Sequence, residues 1–173
     1  AITAALAAIK TAGGGVLEIP EGTFAVSNSF AVPSNTTIRG AGIGVTTIVH
    51  ASSSCFKNDN YASAGTADDD ITIEGITFDA DTTWSGAVDM QGVNRLTLRN
   101  LQFKNVKVTG VTAGIGIASK AAVNCQDITI ENCIFDVPDY GIVFDADVGS
   151  IENISIAGNK FRINWGSAIG VGG

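Results

Sequence analysis

An all-β solenoid, a single-stranded parallel β-helix closed at its first turn by a short α-helix, is the fold predicted for this 173-residue chain. Three observations predict it. A nine-residue motif recurs four times with a fifth partial copy, a second alternating motif falls between the copies, and an alanine-rich amphipathic stretch precedes both. Composition sets the frame: 45% of residues are apolar, 16% are charged, and the net charge is −7, which argues against disorder and against nucleic-acid binding. Glycine is abundant at 21 residues while proline stays at 3, with no three-residue period, so collagen and proline-rich linkers are excluded. No apolar run reaches the roughly 18 residues needed to cross a bilayer, so membrane insertion is not expected.

The first element is a helix. In AITAALAAIKTA (1–12), Ile2, Leu6 and Ile9 fall at i, i+4 and i+7, and Gly13 to Gly15 stop the pattern. A solenoid exposes unpaired strand groups at its first coil, and a helix laid across that end caps it. The expected division is therefore a capping helix over 1–15 and a β-helix of about five coils over 16–173.

The repeat itself reads DITIEGITF (70–78), RLTLRNLQF (95–103), DITIENCIF (127–135) and NISIAGNKF (153–161), and NTTIRGAG (35–42) matches the first half with Thr36 in place of the first aliphatic. Aliphatics at i and i+2 alternate with hydrophilic residues, the signature of a strand with one buried face. If coils stack in register, side chains form columns. Gly40, Gly75, Asn100, Asn132 and Gly158 make a bend column, because Gly and Asn enter the left-handed region most cheaply. Thr37, Thr72, Thr97, Thr129 and Ser155 make an outward hydroxyl ladder. Arg39, Glu74, Arg99, Glu131 and Ala157 make a charge column of alternating sign, and a slip of one coil would bring like charges together. Phe78, Phe103, Phe135 and Phe161 fill the interior.

A second strand per repeat is predicted at GAVDMQ (86–91), GIGIAS (114–119), YGIVFDA (140–146) and SAIGVGG (167–173). Val88, Ile115, Ile142 and Ile169 form one apolar column, and Met90, Ile117, Phe144 and Val171 another. The last motif stops inside a strand with no polar coil after it, and no Ser, Asp or Asn precedes the helix. Both features lead to the expectation that the chain is a segment of a longer one or is covered by another chain. Cys55, Cys125 and Cys133 sit in no metal-binding spacing and are expected as buried free thiols.

The runs AALAAIKTAGGGVLEIPEGTFAV (4–26) and VPSNTTIRGAGIGVTTI (32–48) carry a resemblance. A capping helix, a triple glycine, an aliphatic strand ending in Pro-x-Gly-Thr-Phe, and a Ser-Asn-x-Thr-Ile-x-Gly-Ala-Gly bend resemble the opening module of the pectate-lyase-superfamily right-handed parallel β-helices. That module is shared by pectate-lyase-like enzymes, polygalacturonase-like hydrolases, mannuronan C5-epimerases and phage tailspike depolymerases. The resemblance implies an acidic or neutral polysaccharide bound along one face of the solenoid, an extracellular or virion-surface setting, and a homotrimer in the tailspike case.

On that face the outward positions read Asp89 and Gln91, Gly116 and Ala118, Val143 and Asp145, then Gly170 and Gly172. Glycine floors with carboxylate walls suit a sugar chain. Asp89, Asp145 and Asp147 are the catalytic candidates for general acid–base hydrolysis. Asp89 and Asp145 lie two coils apart, on the order of 10 Å, near the upper edge for an inverting pair. Gln91, Tyr140 and Trp84 are the substrate-binding candidates, and Trp165 is a further indole in a turn. The segment Tyr140 to Asp145 is similar to a Tyr-Gly-Phe-Asp-Pro-His-Glu segment of the epimerases, but it has two extra residues and lacks the histidine. Epimerisation and β-elimination need a base beside the sugar carboxylate, and no Arg or Lys is read in the groove columns.

Residues 51–70 read as a long polar insertion rimming the face. Within it Asp68 to Asp70, with Asp79 and Asp81, form a candidate Ca²⁺ cluster of no EF-hand spacing, alongside the plainer reading of a solvated acidic loop. No other cofactor is expected. His50 is read as a surface histidine. Two function classes follow: an enzyme that cleaves or remodels an extracellular polysaccharide, or a non-catalytic β-helix of a fibre, adhesin or phage tail that serves as a spacer or glycan-binding surface. An ice-binding face is disfavoured, because the column beside the threonines is charged.

Overall fold

The computed structural model describes residues 1–51, 54–61, 65–80, 86–105, 113–119, 123–137, 140–146, 148–163 and 166–172. Helix α1 (Ile2–Ala12) comes first, and its last turn closes on Gly13 at φ 80°, whose N–H returns to the helix carbonyls. Leu6 is buried beneath it, and the helix packs on the strands of the first rung. Among the described residues, six rungs of three strands follow. They are β1 (Gly15–Ile19), β2 (Gly22–Val26) and β3 (Phe30–Val32); β4 (Thr36–Gly40), β5 (Thr46–His50) and β6 (Ser54–Asn58); β7 (Asp68–Glu74), β8 (Thr77–Ala80) and β9 (Gly86–Gln91); β10 (Val93–Arg99), β11 (Gln102–Lys104) and β12 (Ala113–Ser119); β13 (Cys125–Glu131), β14 (Ile134–Val137) and β15 (Tyr140–Ala146); and β16 (Ile151–Ala157), β17 (Lys160–Ile163) and β18 (Ile169–Gly172). Every third strand pairs in parallel, giving three six-stranded sheets that begin with β1, β2 and β3. The protein is a parallel β-helix. The rung beyond the five repeat copies is built by residues 15–32, where the template is absent.

Register follows the predicted columns. Thr37, Thr72, Thr97, Thr129 and Ser155 are successive partners across the first sheet. Beneath them run Leu17, Ile38, Ile73, Leu98, Ile130 and Ile156. Phe78, Phe103, Phe135 and Phe161 stack with ring centroids 5.4, 4.9 and 4.7 Å apart and planes within 13°. Each such pair adds about 1 kcal/mol beyond the apolar area it buries. Thr36, standing where later copies have an aliphatic, is buried and donates its hydroxyl to the Ser34 carbonyl at 3.3 Å. A polar group is tolerated there because it is bonded locally.

The bend column is left-handed at Gly75, Asn100, Asn132 and Gly158, with φ between 52° and 70°. Gly40 is not in that conformation. Its glycine is required for another reason: a Cβ there would lie 2.3 Å from the Gly75 carbonyl oxygen. A second left-handed column, which the sequence reading did not find, stacks Asn35, Asp70, Arg95, Asp127 and Asn153 at φ 52–58°. Each of these residues directly precedes a member of the column Thr36, Ile71, Leu96, Ile128 and Ile154, whose members pair from strand to strand across the first sheet. Asn and Asp dominate the left-handed column because they tolerate this conformation best among residues with a side chain.

The charge column holds in part. Glu74 receives Arg39 and Arg99 at 2.6 Å each, and Arg39 also reaches Glu18 at 3.1 Å. Arg99 turns to Glu74, and no ion pair with its other neighbour Glu131 occurs among the described residues. Hydrogen bonding from Arg39, then from Arg99, holds the Glu74 carboxyl below its ordinary value against the opposing effect of burial.

All three cysteines are free and buried. Burial pushes the Cys55 thiol up to about 12 and the Cys133 thiol up to about 11, so neither is a nucleophile at neutral pH. His50 corrects the sequence reading: it is fully buried at the end of β5, edge-on to Phe78 with centroids 6.3 Å apart. The alternation of β5 points it inward with Thr46 and Ile48. No described helix is long and apolar enough to cross a membrane.

Candidate functional site

The outer face of the third sheet carries a groove lined by polar and charged side chains. Two outward columns run along it. The first is Ala31, Lys57, Asp89, Gly116, Val143 and Gly170, and the second is Gln91, Ala118, Asp145 and Gly172. Side chains leave a pleated strand on alternating sides, so both columns project outward while Phe56, Val88, Met90, Ile115 and Ile117 fill the core. Together these columns floor a groove of about 440 Å³, whose walls include Ser54, Lys57, Tyr61, Asp89, Gln91 and Asp145.

Asp89 is the best-held group in it. Its Oδ2 accepts the Tyr61 hydroxyl at 2.7 Å and the Ser54 hydroxyl at 3.4 Å. Its Oδ1 lies 3.4 Å from where a Cβ on Gly116 would stand, so the small residue lets the carboxylate lie across the floor. Burial, then the adjacent Asp89, raises the Tyr61 phenol well above its ordinary value, so it stays protonated and donates. The Lys57 ammonium sits 4.5 Å over the Tyr61 ring, and no carboxylate lies within ion-pair distance of it among the described residues. Such a cation–ring contact contributes on the order of 0.5–1 kcal/mol at an exposed site.

Asp145 stands two rungs from Asp89 and two residues further along the strand direction, which at about 4.8 Å per rung and about 3.3 Å per residue places their Cα atoms about 12 Å apart. It is exposed and has no hydrogen-bond partner among the described residues, and its Oδ1 lies 3.7 Å from the position of a Cβ on Gly172. Gln91 lines the groove, and its backbone N–H and carbonyl are both held by the Asn58 side chain at 2.9 Å. Its own Oε1 is shielded and has no partner among the described residues. The Tyr140 ring lies against Gly170, within 3.2 Å of that residue's ideal Cβ position, and so stands beyond the groove's lining. Asp147, Trp84 and Trp165 lie outside the described residues.

Sequence reasoning missed Ser54, Lys57 and Tyr61. Treating 51–70 as one insertion hid β6, whose Phe56 pairs with Val88 and whose Lys57 pairs with Asp89. The groove column therefore does contain a lysine, contrary to the expectation. The signal was present in Ser-Cys-Phe-Lys-Asn, where Phe56 and Asn58 alternate with Lys57, but the strand carries no copy of the repeat motif.

The acidic cluster proposed for Ca²⁺ is occupied by protein donors. Asp68 is buried and accepts Ser34 Oγ, Asn58 Nδ2, the Asn60 N–H and Asn60 Nδ2 at 2.7–3.0 Å. Asp70 is paired with Arg95 at 2.7 Å, and Asp79 with Lys104 at 3.0 Å. No group of three or more ligand-type residues gathers as a metal site among the described residues. Asp81 lies outside them.

Several solved structures are similar to this fold. ORF18 of Geobacillus virus E2 is 15% identical with a TM-score of 0.54 over 86% of this chain and 34% of its own. The A-modules of the mannuronan C-5 epimerases AlgE4 and AlgE6 from Azotobacter vinelandii are each 16% identical over 97% of this chain, with TM-scores of 0.48 and 0.45. This chain spans about half the length of those modules, at 54% and 53%. At such identities a likeness speaks for fold alone. No curated protein matches this chain. A family model does match it, over residues 1–171, and with the parallel β-helix described above it establishes that the chain belongs to the rhamnogalacturonase A/epimerase, pectate lyase-like family.

Proposed function

We propose that this protein binds a polysaccharide along the outer face of the third sheet and hydrolyses it, with Asp89 and Asp145 as the acid–base pair. The observation that carries the reading is the groove itself: two carboxylates, Asp89 and Asp145, standing over a floor of Gly116, Ala118 and Val143 on the outer face of the third sheet. In the proposed step one carboxyl gives its proton to the glycosidic oxygen as that bond breaks. The other carboxylate takes a proton from the water whose oxygen bonds to the anomeric carbon. A Cα spacing of about 12 Å is far wider than the roughly 5.5 Å carboxyl separation of a retaining pair and leaves room for that water, which suits inversion over retention. Lys57, a groove cation with no carboxylate partner among the described residues of an acidic chain, favours an anionic glycan. Such a substrate lies outside the cell or on a surface that a virion meets, and that setting is part of the proposal. Tyr140 and Gln91 remain binding candidates, and Asp147 a third carboxyl candidate.

The experiment is incubation of the protein with polygalacturonate, alginate and a neutral glucan, reading new reducing ends and the ultraviolet absorbance of unsaturated sugars. Reducing ends without that absorbance are expected on an anionic polymer, and they should fall by about 10²–10⁴-fold in Asp89→Asn or Asp145→Asn with the fold intact. Unsaturated product would replace hydrolysis with β-elimination. Binding without cleavage, unchanged by either substitution, would leave a glycan-binding solenoid; the solvated, unpartnered Asp145 is the feature that favours that second reading.

A further inference from the structure

The groove on the third sheet has unlike ends. Along one edge Ser54 pairs with Gly86, Gly86 abuts the Ala113 carbonyl, and Ala113 pairs with Tyr140, so three small residues are followed by a large one. Ser54, Gly86 and Ala113 line the groove, and Tyr140 does not. Its half-buried ring is turned away from them, toward the sixth rung. There Cδ1 and Cε1 lie 3.1 and 3.2 Å from where a Cβ on Gly170 would stand, in the column that carries Asp89, Gly116 and Val143 on the third to fifth rungs. Asp145 leans the same way, with its Oδ1 3.7 Å from the matching position on Gly172. Both floor columns at the sixth rung are thus covered by side chains of the fifth, an aromatic ring on one and a carboxylate on the other. At the opposite end the first column passes from Lys57 to Ala31, a small exposed residue that bars nothing.

We infer that the groove is end-stopped: Tyr140 is a specificity-determining residue that closes it at the sixth rung, so that it seats the terminus of a glycan chain whose remainder leaves past Lys57 and Ala31. This rests on the glycan-binding reading above but not on hydrolysis. An internal stretch of chain has to run out at both ends and meets the ring, whereas a terminus stops against it. The closing pair suits a sugar, because the C–H bonds of a pyranose pack on an aromatic ring while its hydroxyls donate to a solvated carboxylate. From Lys57 on the second rung to Tyr140 on the fifth is three rung steps, about 14 Å, a length that holds about three sugars. Cutting within that length releases short fragments from chain ends.

The test counts binding sites per chain. Polygalacturonate, alginate and a neutral glucan, each fractionated into a short and a long pool at equal mass of sugar, are titrated by calorimetry against Asp89→Asn protein to keep the chains intact. Bound protein should track the number of chain ends, and so fall in the long pool in proportion to its fewer chains. Tyr140→Ala opens the groove, and binding to the long pool should then rise severalfold toward the level set by sugar mass; Tyr140→Phe should behave as the parent. With Asp89 in place, short products should appear from the first turnovers while viscosity falls slowly, and Tyr140→Ala should speed the loss of viscosity severalfold at equal reducing ends. Binding that tracks sugar mass in the parent overturns the inference and leaves the glycan reading standing, and this comparison decides the matter by itself if Tyr140→Ala does not fold. End-tracking that Tyr140→Ala leaves unchanged overturns the role of Tyr140. Binding to none of the polymers removes the glycan reading and the inference with it. End-tracking in a protein that cleaves nothing upholds the end stop and removes hydrolysis alone.

Discussion

The outer faces of the first and third sheets use the same rung spacing for opposite ends. On the first, chemistry is spent on neighbours: Thr37, Thr72, Thr97, Thr129 and Ser155 stack in one file, and Glu74 is clasped by Arg39 and Arg99. On the third, the corresponding positions are a lysine over a tyrosine, a carboxylate over a glycine, and an aspartate with no described partner. Groups that satisfy one another fix register and offer a ligand little, since a ligand would have to displace bonds already made. Groups left facing solvent contribute nothing to register and are free to bind. The sheet that looks richest in charge is therefore the structural one.

Both faces rest on the same ring stack, so the largest effect comes from breaking it. Phe103→Ala should lower unfolding stability by about 3–5 kcal/mol in urea titration, because Phe103 is fully buried between Phe78 and Phe135. A cost below about 1 kcal/mol would mean the two faces do not share a core. The next tests one face alone. Gly116→Val places a branched side chain against the Asp89 carboxylate, and glycan affinity should fall about tenfold or more by calorimetry with the melting temperature within a few degrees. Smallest is the other face. Glu74→Gln should cost about 1–2 kcal/mol at neutral pH without changing glycan affinity. The sign of its pH dependence is fixed: the carboxyl is held below its ordinary value in the folded state, so its contribution is fully present above the unfolded value near 4.5 and fades as pH falls through the folded one. Unfolding of wild type and Glu74→Gln should converge in acid. A loss of glycan affinity in Glu74→Gln would erase the distinction between the faces.

Repeat periodicity made much of this architecture legible. Alternation placed Ile73, Leu98 and Ile130 inside and the threonines outside, and the Val88, Ile115, Ile142 and Ile169 column fell in the predicted register. Where a rung lacks the motif, the reading failed. Strands within residues 15–32 and 54–58 form because a parallel neighbour pairs with them, and β6 took Lys57 out of a supposed loop and into the groove, with Tyr61 in the turn that follows it. His50 was misplaced for the same reason, since the inward parity of β5 became visible only against β8.

By itself, then, the order of residues determined the coil, its stacking columns and the family, because these depend on which side chains recur at fixed intervals. Only the tertiary structure decided which polar groups satisfy one another and which face the groove. Asp68, Asp89 and Asp145 are chemically identical in the sequence. One is sealed by four donors, one is held by a phenol 28 positions away, and one is solvated. A carboxylate's role follows from its distance to donors and to water, and winding the chain into a solenoid sets those distances between residues far apart along it.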